Sequence, residues 1–318
     1  TAPIVRRPKI FMRLSLSKRR KNDLLTLYRK TLFRQGLTYF GYVRRMNSSP
    51  QSAPMREHEL IPVTLTANKR ISPRLHRLTF YAEAFRTYTL SGPDEFFGLV
   101  MPRDEQEFTP FPVDGINLRS AVSAIDEERR PDLRWYTIRA LHSEEATVDV
   151  DVVTHGDSGP GSRWIRRAQA GDTAGFFTCN DLWRPTEKPQ LLVADASSLP
   201  ALRHILAYQE DHNPEMLRAT DVMAVVTSND EVEPGLAARW EASVRSLRII
   251  HTQAHEEAEA VVAALRADYA GAPGPGYVWA SGEGRLAKSV RGLAVNEWGL
   301  DTTDVTWVPY WFYGRARP

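Results

Sequence analysis

The sequence predicts two folded domains of different architecture, an antiparallel β-barrel followed by a doubly wound parallel sheet. A chain of 318 residues is long enough for two domains of ordinary size. Residues 55–187 contain short alternating strands separated by proline and glycine, which is typical of a closed antiparallel barrel. Residues 188–318 alternate apolar strands with amphipathic helices, which indicates a parallel sheet covered by helices on both faces.

A basic extension precedes these domains. Residues 1–54 hold 13 Lys and Arg residues but one acid, for a net charge of +12, whereas the rest of the chain carries −10. The apolar residues Leu24, Leu25, Tyr28, Leu32 and Phe33 recur at helical spacing and predict a basic amphipathic helix. Two interpretations stay open: the helix packs on the body, or it docks on a membrane surface or an acidic partner. The mildly acidic body gives no reason to expect nucleic-acid binding.

The composition is that of a globular protein, with 42% hydrophobic and 25% charged residues. The single cysteine, Cys179, permits no internal disulfide, favours a reducing compartment and is expected to be a packed side chain. No stretch reaches the roughly 18 uncharged apolar residues that a membrane span needs. His251 ends a predicted strand, so it does not share a helical face with His255, and we expect no metal site.

The barrel is predicted from strands with period two. Val63, Leu65 and Ala67 alternate with polar residues, and Leu78 and Phe80 continue the pattern after a turn at Pro73. The valines at 148, 150 and 152 alternate with two aspartates, which predicts one buried and one wet face.

The parallel sheet is predicted from five short apolar runs. The strands are expected at residues 191–194, 222–226, 247–250, 277–280 and 305–308. Helices are expected at residues 199–206, 236–244, 258–269 and 285–298. Ligands of such sheets bind at the carboxyl ends of the strands.

Two segments of the barrel domain could bind a phosphorylated, flat heterocycle. In a strand over residues 134–139, Arg134 and Tyr136 share a face, and Thr137 lies on the other. Such a set offers a guanidinium for phosphate, a ring for stacking and a hydroxyl for a ring nitrogen. The turn over residues 155–162 leads from a strand into a helix, so Gly161 and Ser162 could present amides to a pyrophosphate.

Two turns of the parallel domain could bind a nucleotide. Residues 195–200 follow the first strand, and Pro200 and the serines before it suit a helix start. Residues 281–284 follow another strand, and their small side chains would open the crevice for a nicotinamide. Simple capped helices explain both turns equally well.

In this order, the four segments resemble the siderophore-interacting protein family, FAD-dependent ferric-siderophore reductases of the ferredoxin-reductase-like superfamily. The resemblance covers about residues 56–318, including Tyr310, Trp311 and Gly314. It implies FAD-binding roles for Arg134, Tyr136, Thr137, His155, Gly156, Gly161 and Ser162. It implies NAD(P)H-binding roles for Asp195, Ser197, Ser198, Ser281, Gly282 and Glu283. The barrel would thus bind FAD, and residues 188–318 would bind NAD(P)H.

The resemblance also implies a reaction and a substrate. A hydride would pass from NADH or NADPH to FAD, and reduced flavin would then reduce Fe(III) in a siderophore by single electrons. The flavin carries this chemistry, so no side chain is assigned as catalytic. The acidic residues after the second parallel strand favour NADH. Ferric siderophores are often anionic, so we assign their binding to a basic rim by residue type and placement: Lys69, Arg70, Arg139 and Arg315.

The expected location is the cytoplasm, with residues 1–54 allowing attachment to the inner face of the membrane. Two alternatives stay open. One is a ferredoxin-reductase-like flavoenzyme that passes electrons to a protein partner. The other is a non-catalytic siderophore-binding protein on the same scaffold, because Cys179 and Ala196 stand where the family has other residues.

Overall fold

The computed structural model describes residues 58–103, 106–154 and 159–314. The predicted helix of the basic extension lies outside the described residues. In the described part of the chain, no helix is long and apolar enough to cross a membrane.

The first sheet has seven strands, and every neighbouring pair is antiparallel. The strands are β1 (Leu60–Ser72), β2 (Leu75–Tyr81), β3 (Phe96–Met101), β4 (Asp132–Thr137), β5 (Ala140–His142), β6 (Thr147–Val153) and β7 (Thr173–Thr178). Their order is β4-β3-β7-β1-β2-β6-β5, so β4 and β5 are the two edges. Two residues join these edges, so the sheet must curl back on itself, and the predicted barrel-like architecture is confirmed.

The barrel core confirms the predicted alternation and corrects one part of it. Val148 and Val150 are fully buried, and Val152 is 4% exposed. The opposite face of β6 was expected to be wet, but Asp151 is also buried. Its carboxylate pairs with the guanidiniums of Arg77 and Arg139, and the charges are covered at the junction with the second domain.

Two helices belong to this domain, α1 (Leu118–Ala124) and α2 (Pro160–Arg167), together with a 3-10 turn over Glu83–Arg86. Sequence patterns did not predict α1. Leu118 and Val122 point from it into a small apolar cluster on the outside of the barrel, which also contains Phe177. Cys179 is buried in the same cluster, which confirms its predicted role as a packed side chain.

The second sheet has five parallel strands, as predicted, and their order is β10-β9-β8-β11-β12. The strands are β8 (Gln190–Asp195), β9 (Thr220–Val226), β10 (Ser246–His251), β11 (Tyr277–Glu283) and β12 (Val305–Trp311). The helices are α3 (Leu199–His212), α4 (Pro214–Arg218), α5 (Leu236–Trp240), α6 (Glu257–Asp268) and α7 (Gly284–Asn296), with 3-10 turns at Asn229–Glu231 and Thr302–Asp304. Helices α3 and α5 cover one face, and α6 and α7 cover the other.

Residues 179–189 connect the two sheets. Asp94, just before β3, holds this connection in place. Its carboxylate accepts hydrogen bonds from the amides of Leu182 (2.8 Å) and Trp183 (2.9 Å), and from the indole of Trp279 (3.0 Å) on β11. One buried carboxylate beside β3 therefore bonds to both the connection and the parallel sheet.

Candidate functional site

Strand β4 and the first turn of α2 pack directly against each other. A Cβ added to Gly161 would lie 2.6 Å from the Tyr136 hydroxyl and 3.2 Å from Cγ of Arg134. Strand alternation turns Trp135 to the other side, where it packs edge-on against Phe96. The sequence-predicted set of Arg134, Tyr136 and Gly161 is therefore brought together, and only glycine fits between the helix and the strand.

The start of α2 offers backbone donors to a ligand. Pro160 stands in the first turn, and the cap position is taken by Gly159, which has no side chain to bond the first amides. Gly161 is buried, whereas Ser162 is half-buried. Amides at a helix start beside the Arg134 side chain fit the pyrophosphate of FAD. His155 and Gly156 lie outside the described residues.

Thr137, at the end of β4, meets the second domain. Its side chain is buried, and its hydroxyl lies 3.2 Å from the hydroxyl of Tyr310 on β12. Sequence analysis assigned no role to Tyr310, although this residue lies in a segment that carries the family resemblance. This contact brings the end of β4 to the edge of the parallel sheet that the carboxyl ends of its strands form. Ligands of such sheets bind at this edge.

Asp195 ends β8 and is buried, 1% exposed. One of its oxygens accepts from the amides of Ser197 (2.9 Å) and Ser198 (3.1 Å). The other accepts from the Glu283 amide and the Trp311 indole, both at 2.7 Å. The carboxylate thus ties β8, β11 and β12 together, and burial raises its pKa.

Gly282 makes this arrangement possible. Its φ is +128°, and a Cβ there would lie 2.3 Å from Cγ of Asp195. Ser198 is fully buried, and its hydroxyl donates to the Ser281 carbonyl at 2.8 Å. The structure therefore brings the predicted nucleotide-binding residues together, but it bonds Asp195 and Ser198 to β11 through the Glu283 amide and the Ser281 carbonyl.

The other two central strands end in similar turns. Glu283 caps α7 with its own side chain, which accepts from the amides of Arg285 (2.6 Å) and Leu286 (3.1 Å). Glu231 does the same after β9, where it accepts from the amides of Thr227 (2.8 Å) and Ser228 (3.4 Å). In each of the turns after β8, β9 and β11, a side-chain carboxylate therefore accepts hydrogen bonds from the amides of the same turn.

Two buried polar side chains at this edge have an atom without a hydrogen-bond partner in the described structure. Glu257 begins α6, is 3% exposed and has no partner at Oε2. Burial, reinforced by the charges of Asp195, Glu231 and Glu283, raises its pKa to about 9, so it is protonated at neutral pH. Ser281 is fully buried, and its hydroxyl has no partner.

The predicted basic rim separates into different environments. Lys69 and Arg70 are exposed on β1. Burial lowers the pKa of neighbouring His76, and the charges of Arg70 and Arg166 lower it further, so positive potential is concentrated here. Arg139 must be withdrawn from the rim, because its side chain is 9% exposed and pairs with Asp151 and Glu233. Arg315 lies outside the described residues.

Sequence reasoning missed the carboxylates that hold the junction, Asp94, Glu231 and Glu233. Isolated acids in loops carry no periodic signal, so no local pattern distinguishes them from solvated charges. The sequence contains only an indirect signal for them, because acidic residues lie in the turns that would form the predicted crevice.

The two sheets and the junction between them define the ferredoxin-reductase-like class. A model for the siderophore-interacting FAD-binding domain matches residues 64–180, and a model for siderophore-interacting protein matches residues 187–314. The chain therefore belongs to the siderophore-interacting protein family, and its first domain is of the FAD-binding type. Both the predicted family and the predicted fold class are confirmed.

Known proteins of this kind resemble the chain at moderate identity. It is 28% identical over 152 residues to the ferric vibriobactin reductase of Vibrio cholerae, covering 43% of this chain and 55% of that protein. It is 26% identical over 188 residues to the mycobactin import ATP-binding/permease protein of Mycolicibacterium smegmatis, covering 58% of this chain but 20% of that protein. The crystal structure of the siderophore-interacting protein from Aeromonas hydrophila superposes with a TM-score of 0.63 at 22% identity, covering 82% of this chain and 94% of the other.

Proposed function

We propose that this chain is an FAD-dependent reductase of ferric siderophores that takes its electrons from a reduced nicotinamide. The observation that carries the proposal is the contact of Gly161 with Arg134 and Tyr136, where only a glycine lets the helix start approach the strand. The barrel, residues 55–187 in our proposed division, would hold FAD. Residues 188–318 would receive the reductant.

The residues of the barrel have distinct proposed tasks. The Arg134 guanidinium pairs with phosphate, and the amides of Gly161 and Ser162 donate to the pyrophosphate. Tyr136 packs against the isoalloxazine, and Thr137 lies at its reactive edge. His155 and Gly156 remain assigned to the adenosine half. FAD, when bound, would accept a hydride from the nicotinamide and return the electrons singly to Fe(III).

The substrate class follows from charge and ligand chemistry. Siderophore oxygens are hard donors that hold Fe(III) more tightly than Fe(II), so reduction releases the iron. The exposed side chains of Lys69 and Arg70 would attract an anionic ferric complex. The reaction needs no acid or base from the protein, which must orient two rings and exclude water. We favour NADH over NADPH, because Glu231 lies in the turn where a 2′-phosphate would need a cation.

The compartment we propose is the cytoplasm, where reduced nicotinamide nucleotides are available. Residues 1–54 are proposed to contact a membrane surface or an acidic partner. Deleting them should leave the reduction of a soluble ferric chelate unchanged, whereas a large loss would favour a flavoenzyme that serves a protein partner.

The test is an anaerobic absorbance titration of the full chain supplemented with FAD. NADH is added first, then NADPH, then a ferric siderophore with a ferrous-iron chelator as trap. Bleaching of the flavin, its recovery on adding siderophore and a ferrous signal support the proposal. Bleaching without a ferrous product would indicate a protein acceptor. A chain that binds no FAD would be a siderophore-binding protein on this scaffold.

A further inference from the structure

Three adjacent strands of the parallel sheet, β9, β8 and β11, end in turns whose amides are already bonded to internal carboxylates. The carboxylates belong to Glu231, Asp195 and Glu283. In doubly wound domains, these turns are the ones that grip the phosphates of a dinucleotide. We infer that this chain recognises its reductant through the nicotinamide ring and gains little affinity from the nucleotide phosphates. The inference rests on the proposed reductase function.

The physical reason is competition for the same donors. A pyrophosphate needs unpaired amides at a helix start, and here Ser197, Arg285 and Thr227 donate theirs to carboxylates at 2.9, 2.6 and 2.8 Å. A phosphate would have to displace a carboxylate, and it would then lie beside a like charge. The start of α2 differs, because its cap is a glycine without a side chain. Within the described residues, internal carboxylates therefore fill the turns of the parallel domain, whereas no side chain caps the start of α2.

The carboxyl edge of the parallel sheet also has an uncharged hydrogen-bonding group that could bind the nicotinamide ring. Ser281 is fully buried, and its hydroxyl has no partner in the described structure. It alternates with Trp279 on β11, so both point to the face covered by α3 and α5.

The neighbouring strand carries Tyr310. Ser281 pairs with Val308 on β12, and the register of the two strands shifts at Tyr310, just beyond this pair. The Tyr310 hydroxyl reaches Thr137 of the barrel at 3.2 Å. An unpaired serine hydroxyl at this edge of the sheet suits the carboxamide of a nicotinamide, which both donates and accepts hydrogen bonds.

The reaction balances with a ring-only contact. The dihydronicotinamide loses a hydride, which is two electrons and one proton, and leaves as the pyridinium. FAD, when bound, would accept that hydride and so take up both electrons and the proton. Neither change involves the phosphates, so their loss should affect binding alone.

The decisive experiment compares NADH with reduced nicotinamide riboside, which has the same ring and ribose but no phosphate. Anaerobic stopped-flow absorbance of the FAD-loaded full chain gives the second-order rate constant of flavin bleaching for each donor. We expect the two constants to lie within about fivefold of one another, and ADP at millimolar concentration to leave both unchanged. A preference of about 100-fold or more for NADH, or competition by ADP, would overturn the inference.

Substitutions separate the phosphate effect from the ring effect. Glu283→Gln keeps an acceptor for the α7 amides and removes one charge, so the constant for NADH should rise two- to fivefold relative to that for the riboside. Glu297→Gln, at the other end of the same helix, is the matched control. Ser281→Ala should slow both donors by a similar factor of about five. An equal effect of Glu283→Gln on both donors, or of Ser281→Ala on neither, would contradict the inference.

The proposed function is tested separately with dithionite. A chain that binds FAD and, once reduced by dithionite, reduces a ferric siderophore is a reductase whatever the ratio of the two nicotinamides. Failure of both nicotinamides in such a preparation would overturn the inference and the proposed electron donor, but not the proposed reduction of a ferric siderophore by bound FAD. Failure to bind FAD would overturn the proposed function itself.

Discussion

The Arg139 guanidinium donates to the Glu233 carboxylate at 2.6 Å, across the junction between the barrel and the parallel domain. The same carboxylate accepts from Arg77 of β2 at 2.9 Å and pairs with Arg203 of α3 at 2.7 Å. Three guanidiniums from both domains therefore converge on one acid. Burial would raise the pKa of Glu233, but the hydrogen bond from Arg77 and the charges of Arg139 and Arg203 outweigh it and lower the pKa.

Glu233→Gln should therefore destabilise the protein, because it leaves clustered guanidiniums without this countercharge. We expect a loss of about 2–3 kcal/mol at pH 7, below the full cost of breaking a wholly buried pair. The lowered pKa means that the stabilisation is present above about pH 4.5 and is lost as pH falls through the folded-state value.

Urea unfolding followed by tryptophan fluorescence at pH 7 and at pH 3 measures this effect. Glu241→Gln, an exposed acid at the end of α5, is the control and should change stability by no more than about 0.5 kcal/mol. A loss for Glu233→Gln that is equally large at pH 3 would contradict the electrostatic explanation.

Two glycines at the start of α2 provide a matched test of the flavin site. Gly161→Ala should weaken FAD binding at least tenfold, because the new Cβ would lie 2.6 Å from the Tyr136 hydroxyl and displace the ring against which the flavin packs. Gly159→Ala should bind FAD normally, because nothing lies within 4 Å of its added Cβ. Quenching of flavin fluorescence gives both dissociation constants, and equal losses would show that the effect comes from the helix and not from the site.

Strand and helix patterns predicted both sheets because periodicity records which side of an element is covered. They did not show what covers it. The alternation of β6 predicted a wet face at Asp151, yet the second domain buries it with Arg77 and Arg139. For the same reason, sequence analysis placed Arg139 on the basic rim. An arginine in a strand is expected to be solvated unless its ion-pair partner, which is distant in sequence, is known.

The predicted nucleotide site shows a related limit. Serines followed by Pro200 correctly predicted the start of α3, and Asp195 was correctly placed at the end of β8. The direction of the Asp195 carboxylate depends on Gly282, whose positive φ leaves room for it. The backbone angle of Gly282, which lies on another strand, cannot be inferred from residues 195–200. The sequence therefore could not show that the amides of Ser197 and Ser198 donate to the Asp195 carboxylate.

The remaining rim residues lead to a test with an anionic ferric siderophore. Replacing Lys69 and Arg70 together by glutamate should lower kcat/KM about fivefold at low salt, because it exchanges two exposed positive charges for negative ones on the surface that would attract the anion. The effect should shrink as ionic strength rises. The control replaces exposed Arg218 and Lys288 by glutamate, which changes net charge equally on the other domain. An equal loss in the control would mean that total charge, and not this surface, attracts the substrate.

Glu257 makes a prediction about pH. Its pKa is raised to about 9 from an ordinary value of 4.5, so the folded chain holds a proton that the unfolded chain releases. The free energy of unfolding should therefore fall as pH rises from about 4.5 to about 9, and Glu257→Gln should remove this part of the dependence. The variant should match the wild type near pH 4.5 and exceed it by about 3 kcal/mol at pH 7. Denaturant unfolding of both proteins at several pH values measures the difference, with Glu256→Gln, its exposed neighbour, as the control. A difference in the free energy of unfolding that stays constant across this range would mean that Glu257 is ionised in the folded protein. Other groups would then compensate the negative charges of the carboxylates at this edge of the sheet.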